Sequence, residues 1–145
     1  DRFFLNNIPI GYENKSNVSL SNIASLTEQL RFINVASLKK IQDAKVSRTI
    51  LITTFDGLVV KMTVRDKDEQ EWVEFQFFST ESKEIAANSL SKGDLQKAEG
   101  QFSVFKEVDD LTNKTDNWVF TLPDYKKRAY QKSFASLIKK KQNEK

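Results

Sequence analysis

Three sets of residues in this 145-residue chain have the types and spacing to attempt chemistry. The first is the acidic run Asp66-Lys67-Asp68-Glu69-Gln70-Glu71, with Glu74 close behind. Alternating oxygen ligands of this kind open a calcium loop, but such a loop turns on Gly at its sixth position, where Glu71 stands, and no helices flank it. A carboxylate pair drawn from the same run and Glu74 could support a hydrolase in principle. Acid–base work needs an environment that raises one pKa, and these groups fall on a turn and on a wet strand face. The second set is basic: Lys126, Lys127, Arg128, Lys132, Lys139, Lys140 and Lys141. Tracking a phosphate backbone calls for a one-sided stripe with stacking aromatics in reach. At 100° per helical residue these cations scatter around the polar arc, and Tyr130 and Phe134 fall on the apolar stripe. A solvated helix face is the better account, with a nucleic-acid-binding module as the alternative. The third set is Trp72 and Trp118, which could stack on a sugar or peptide and more simply close a core edge.

Composition narrows the chemistry further. The chain has no Cys and no His, so it lacks a thiolate nucleophile, a disulfide, and the commonest general base and metal ligand. With four Gly it has no phosphate-cradling loop, and no GxSxG is present. Accordingly no catalytic residue, cofactor or metal site is assigned. The net charge of +3 is too small to imply a polyanionic partner by itself. No run of about 18 apolar residues is present, so nothing here reads as a membrane span. Three Asn-x-Ser/Thr sequons, at Asn14, Asn17 and Asn113, are expected at this composition by chance. The chain opens at Asp1-Arg2-Phe3-Phe4 without Met and is read as a piece of a longer protein.

The elements that must carry these residues centre on Thr49–Ser79, which reads as three antiparallel strands. Asp56-Gly57 predicts a type I′ hairpin with positive φ at both residues. That register sets Phe55 opposite Leu58, Thr53 opposite Val60 and Leu51 opposite Met62 on one apolar face. Val64, Val73, Phe75 and Phe77 continue this face, while Lys61, Thr63, Arg65, Glu74 and Gln76 take the other. Helices must cover the apolar side. Phe3–Ile10 reads as extended and 11–17 as a loop. Ser19–Asn34 reads as a helix with Ile23, Leu26, Leu30 and Ile33 on its core stripe. A short helix over Glu81–Leu90 is followed by a break at Ser91–Asp94. Asp94 then caps a helix carrying Leu95, Ala98, Phe102, Phe105, Val108 and Leu111. Trp118–Leu122 reads as a strand, and Asp124 caps a last helix from Tyr125 to about Lys141.

The order of several short motifs resembles a known bacterial family. Thr54-Phe55-Asp56-Gly57-Leu58, then Trp72-Val73, then Trp118-Val119-Phe120-Thr121-Leu122-Pro123-Asp124-Tyr125-Lys126 and Leu137-Ile138 are similar to the C-terminal part of the domain of unknown function 4340 family. Phe4-Leu5-Asn6-Asn7-Ile8-Pro9 with Gly11 and Glu13, and Ser21-Asn22-Ile23-Ala24-Ser25-Leu26 with Leu30, resemble its front end. Asn117 departs from the Gly usual there, and Lys83–Lys114 is least like the family. The resemblance implies an extracytoplasmic α+β region behind an N-terminal membrane helix. It also implies company with gliding-motility-type ABC transporter components. It carries over no catalytic residues.

The expectation is therefore a single α+β domain over residues 1–145: an antiparallel meander with helices on one face, a late strand and a C-terminal helix. Its function reads as non-enzymatic, an accessory or interaction domain of an envelope transporter complex. Phe102 and Phe105 are the candidate partner contacts, on the alternative that the sheet is already covered by other helices.

Overall fold

The computed structural model describes residues 3–80 and 95–141, and side chains over 3–80 and 103–141. The chain is α+β, and it falls into two compact units: Asn34–Thr121, and Asp1–Ile33 together with Leu122–Lys145. The sequence-predicted helix over Glu81–Leu90 and the break at Ser91–Asp94 lie outside the described residues.

The central unit holds a five-stranded antiparallel sheet. Its strands are β2 (Asn34–Ser37), β3 (Lys45–Thr53), β4 (Leu58–Lys67), β5 (Gln70–Ser79) and β6 (Trp118–Thr121), in spatial order β2-β6-β5-β4-β3. Two helices, α2 (Leu38–Ile41) and α3 (Leu95–Thr115), belong to this unit. The third strand takes its expected place: Val60 pairs with Phe77, Met62 with Phe75 and Val64 with Val73.

The first hairpin differs from its sequence expectation by one residue. Ile52 pairs with Val60 and Ile50 with Met62, so Ile50 and Ile52 join the apolar face while Leu51 and Phe55 are exposed. A one-residue slip turns every side chain to the opposite face. The cause is the turn. Thr54 N–H donates to Leu58 O at 2.9 Å and Gly57 N–H to Thr54 O at 3.2 Å, closing a three-residue loop in which Gly57 takes φ +97° and Asp56 keeps negative φ. Such a loop is a turn followed by a left-handed residue, a common alternative to the two-residue hairpin. The Thr54 hydroxyl secures it by accepting Leu58 N–H at 3.0 Å and bonding the Asp56 carboxylate. The two-residue loop with positive φ at both positions occurs instead at Asp68 (52°) and Glu69 (61°), between β4 and β5.

Burial follows from this register. Leu58, Val60, Met62, Val64, Val73, Phe75 and Phe120 form the core face. The Phe75 ring lies 6.4 Å from Phe77 and 6.1 Å from Phe120, centroid to centroid. Helix α3 packs against β5 and buries Val104 and Phe105. The opposite face is wet only in part. At its β6 end α2 packs against β2 and β6, and Val119 and Ile41 are buried. Arg65 reaches from β4 to the carbonyls that end α2, donating to Gln42 O at 3.2 Å and Ala44 O at 3.4 Å, and Lys67 donates to Lys40 O. Cations suit these unpaired carbonyls.

The second unit holds α1 (Asn17–Ala24), running into a 3₁₀ turn at Ser25–Thr27, with β1 (Tyr12–Asn14), α4 (Asp124–Tyr130), α5 (Phe134–Leu137) and β7 (Ile138–Lys140). Both long helices expected here are shorter. The first starts earlier, and chain beyond Thr27 leaves the helix through Gln29 at φ 45°. The last divides. The Ser133 side chain accepts Ser136 N–H and starts α5, and the chain then extends to pair antiparallel with β1, Tyr12 opposite Lys140. Lys139 thus meets Glu13 at 3.2 Å on a strand rather than at a helix end. Leu20, Leu26, Leu122, Tyr130 and Leu137 are buried in this unit.

Candidate functional site

The acidic run does not converge. Asp68 and Glu69 form a tight turn, Asp66 accepts Ser47 Oγ at 3.2 Å, and Glu74 pairs with Arg65 at 3.4 Å while accepting Gln76 Nε2 at 3.1 Å. Asp66 and Glu74 have different neighbours, on β3 and β4 respectively, an arrangement that ties strands together. Among the described residues no group of three Asp or Glu could hold a metal ion. The two Trp side chains leave the sheet on opposite faces. Trp72 stands opposite Arg65 on the outer face, whereas Trp118 shares the parity of Phe120 and hence the core face. They make no shared stacking platform.

The basic residues behave differently from the helical-wheel expectation. Lys126, Arg128 and Lys132, with Tyr125, Ala129, Asn22 and Ser25, line a cleft of about 330 Å³ between α4 and the end of α1, with no carboxylate in its wall. The break after Tyr130 brings Lys132 to α1, where Nζ donates to Ser19 Oγ at 3.1 Å. Lys126 is already engaged. Its Nζ donates to Ser25 O and Glu28 O, both at 2.7 Å, capping the carbonyls of the 3₁₀ turn. It also lies 5.9 Å from the Tyr125 ring centroid. Arg128 and the Tyr125 ring are exposed. Lys127 points elsewhere, to Asp124 at 3.4 Å. The gathering of three of the seven cations depends on a helix end that periodicity alone does not reveal.

Of the two proposed partner contacts, Phe105 is 9% exposed and packs within the central unit, while the Phe102 side chain lies outside the described residues. One group of exposed apolar side chains among the described residues lies at the hairpin end of the outer sheet face. Thr53, Val59 and Phe78 stand in one row across β3, β4 and β5, with Leu51 diagonal to Val59 and Phe55 at the tip. Phe78 is 47% exposed, Leu51 65% and Phe55 75%. Sequence reasoning missed this patch because the hairpin register it assumed turned Leu51 and Phe55 inward.

Comparison with protein-family models, with curated proteins and with solved structures finds no match. No helix among the described residues is long and apolar enough to cross a membrane.

Proposed function

We propose that the protein is a non-enzymatic interaction domain, extracytoplasmic, acting as an accessory component of an envelope ABC-transporter-type complex. The observation that carries the interaction reading is the row Thr53–Val59–Phe78 with Leu51 beside it and Phe55 at the hairpin tip, in which Leu51, Phe55 and Phe78 are exposed and Val59 is half-buried. Grouped exposed apolar side chains on a soluble surface mark protein contact sites. The envelope and transporter part rests on the motif order around Thr54–Leu58 and Trp118–Lys126 and the family it resembles. The test is co-purification of the full-length protein with ABC-transporter permease and ATPase subunits of its source. Val59→Lys combined with Phe78→Glu should abolish co-purification with little change in melting temperature. Retained co-purification with the double variant overturns the assignment of this face. Protease accessibility in spheroplasts checks the extracytoplasmic placement.

A second reading is favoured by one specific observation, the carboxylate-free cleft of Lys126, Arg128 and Lys132 beside an exposed Tyr125 ring. Cations with a stacking ring suit single-stranded nucleic acid. Because Lys126 is committed to backbone carbonyls, the expected affinity is that of non-specific contacts, no tighter than about 10⁻⁵ M near physiological salt. Fluorescence anisotropy showing submicromolar, sequence-dependent binding at such salt would replace the interaction reading.

A further inference from the structure

Strand β3 ends the sheet, and among the described residues it pairs with β4 alone. Its hydrogen-bond phase is set by the Thr54–Leu58 pair that closes the hairpin. Bonded pairs in an antiparallel ladder recur every second residue, so Ile52 and Ile50 bond to Val60 and Met62. Thr49, Leu51 and Thr53 therefore turn their N–H and C=O groups away from the sheet, toward solvent. An open edge of this kind is a template for another strand, and proteins blunt such edges with Pro, bulges or charges. Among the described residues this edge carries a bulge between Val46 and Arg48 and the charges Lys45 and Arg48 at the same end, which leaves Thr49–Thr53 regular and without Pro or charge.

We propose that this edge pairs antiparallel with β3 of a second copy of the chain, about a two-fold axis at Leu51. This goes beyond the partner-binding face of the preceding section: it uses the backbone edge of β3, and it shares only the side chains of Leu51, Thr53 and Phe55 with that face, whose test at Val59 and Phe78 is separate. The register follows from the residues. With Leu51 opposite Leu51 of the second copy, Thr49 falls opposite Thr53 of that copy, and all three outward-facing residues enter bonded pairs without reaching the bulge. Thr–Thr and Leu–Leu are favourable cross-strand pairs. The two Leu51 side chains, 65% exposed in the single chain, cover each other. Phe55 of each copy, 75% exposed, is carried to the Val46–Ser47 end of the other, where Val46 is 45% exposed. The charges also fit. Lys45 of one copy comes beside Asp56 of the other at both ends of the ladder, while the two Arg48 side chains are kept apart by about 20 Å, six strand residues. A two-fold about Thr49 would run the pairing into the bulge, and one about Thr53 would leave Thr49 unpaired. Pairing β3 with the opposite edge strand β2 of another copy would propagate without closing.

The absence of Cys makes the register directly testable in the full chain. Residues in a bonded antiparallel pair have Cα atoms about 5.5 Å apart, within disulfide range. Under mild oxidation Leu51→Cys should form a covalent dimer far faster than Val35→Cys, which sits on the β2 edge. Thr49→Cys and Thr53→Cys should each cross-link poorly alone and readily when mixed. By sedimentation velocity the wild type should show a concentration-dependent monomer–dimer equilibrium. Leu51→Lys, which sets like charges face to face at the axis, should weaken it about tenfold or more with an unchanged melting temperature. The proposal is overturned if the wild type is monomeric throughout, if Leu51→Cys links no faster than Val35→Cys, or if Thr49→Cys alone links as fast as its mixture with Thr53→Cys.

Discussion

At Gly57 and Glu69 the backbone sits at positive φ for opposite reasons. Gly57, at φ +97°, closes the first hairpin, and a Cβ there would meet Thr80 Oγ1 at 2.7 Å. Gly57→Ala should therefore cost more than about 1 kcal/mol, combining left-handed strain with a close contact. A thermal melt equal to wild type would contradict the turn geometry. Glu69, at φ 61°, occupies the second position of a two-residue turn that prefers Gly. Glu69→Gly should stabilise the chain by about 1 kcal/mol, because relief of strain outweighs the added freedom of the unfolded chain. A denaturant midpoint that falls instead would show that the Glu69 side chain contributes more than its backbone costs.

At the scale of elements, the short helices are held by side chains that reach backbone carbonyls of their neighbours. Lys126 of α4 ends the 3₁₀ turn through Ser25 O and Glu28 O, whereas Lys127 makes one contact to the well-exposed Asp124 carboxylate. Lys126→Ala should cost about 1–2 kcal/mol, in keeping with charged hydrogen bonds in a half-buried setting. Lys127→Ala should stay within about 0.5 kcal/mol, as for exposed ion pairs. Equal losses in the two variants, read from urea midpoints, would contradict this division of roles. Helix α3 depends on burial instead. Phe105→Ala should cost about 3–5 kcal/mol, with the oligomeric state unchanged in whatever fraction folds. A variant that melts like wild type but changes its association would restore Phe105 as a contact residue.

The whole molecule comprises two units of different connectivity. The central unit is one continuous stretch, and its ends are adjacent because Asn34 pairs with Thr121, whose hydroxyl also accepts Asn34 N–H at 2.9 Å. The other unit is assembled from the two chain ends. While the central unit is folded, the loop joining those ends is already closed. Once it unfolds, that closure must be made by a chain of nearly ninety residues. The terminal unit should accordingly unfold first. The chain carries its own probes: Trp72 and Trp118 lie in the central unit, while Tyr12, Tyr125 and Tyr130 lie in the other. In a urea titration, tyrosine absorbance should change before tryptophan fluorescence. Coincident transitions would mean that the two units unfold as one.

Local sequence determined the elements whose signals are local. Alternation from Leu58 to Phe77 specified the meander and its core face, and Trp118–Thr121 carried the pattern of a late strand. Composition alone removed cysteine and histidine chemistry. Tertiary structure decided whatever depended on a choice between local options of similar energy. Asp56-Gly57 supports both a two-residue and a three-residue turn. Thr54 bonding to Leu58 selects the second, and that choice moves Leu51 and Phe55 from core to surface and turns the backbone groups of Thr49, Leu51 and Thr53 to the open edge of β3. Likewise the stretch from Ser133 to Lys141 has a helical pattern, yet Ile138–Lys140 becomes a strand because β1, more than a hundred residues earlier, supplies the partner for its backbone. Both candidate surfaces, the hairpin-end patch and the cationic cleft, arise from these two decisions. They lay beyond periodicity because a strand's register and a helix's end are set by partners distant in the chain.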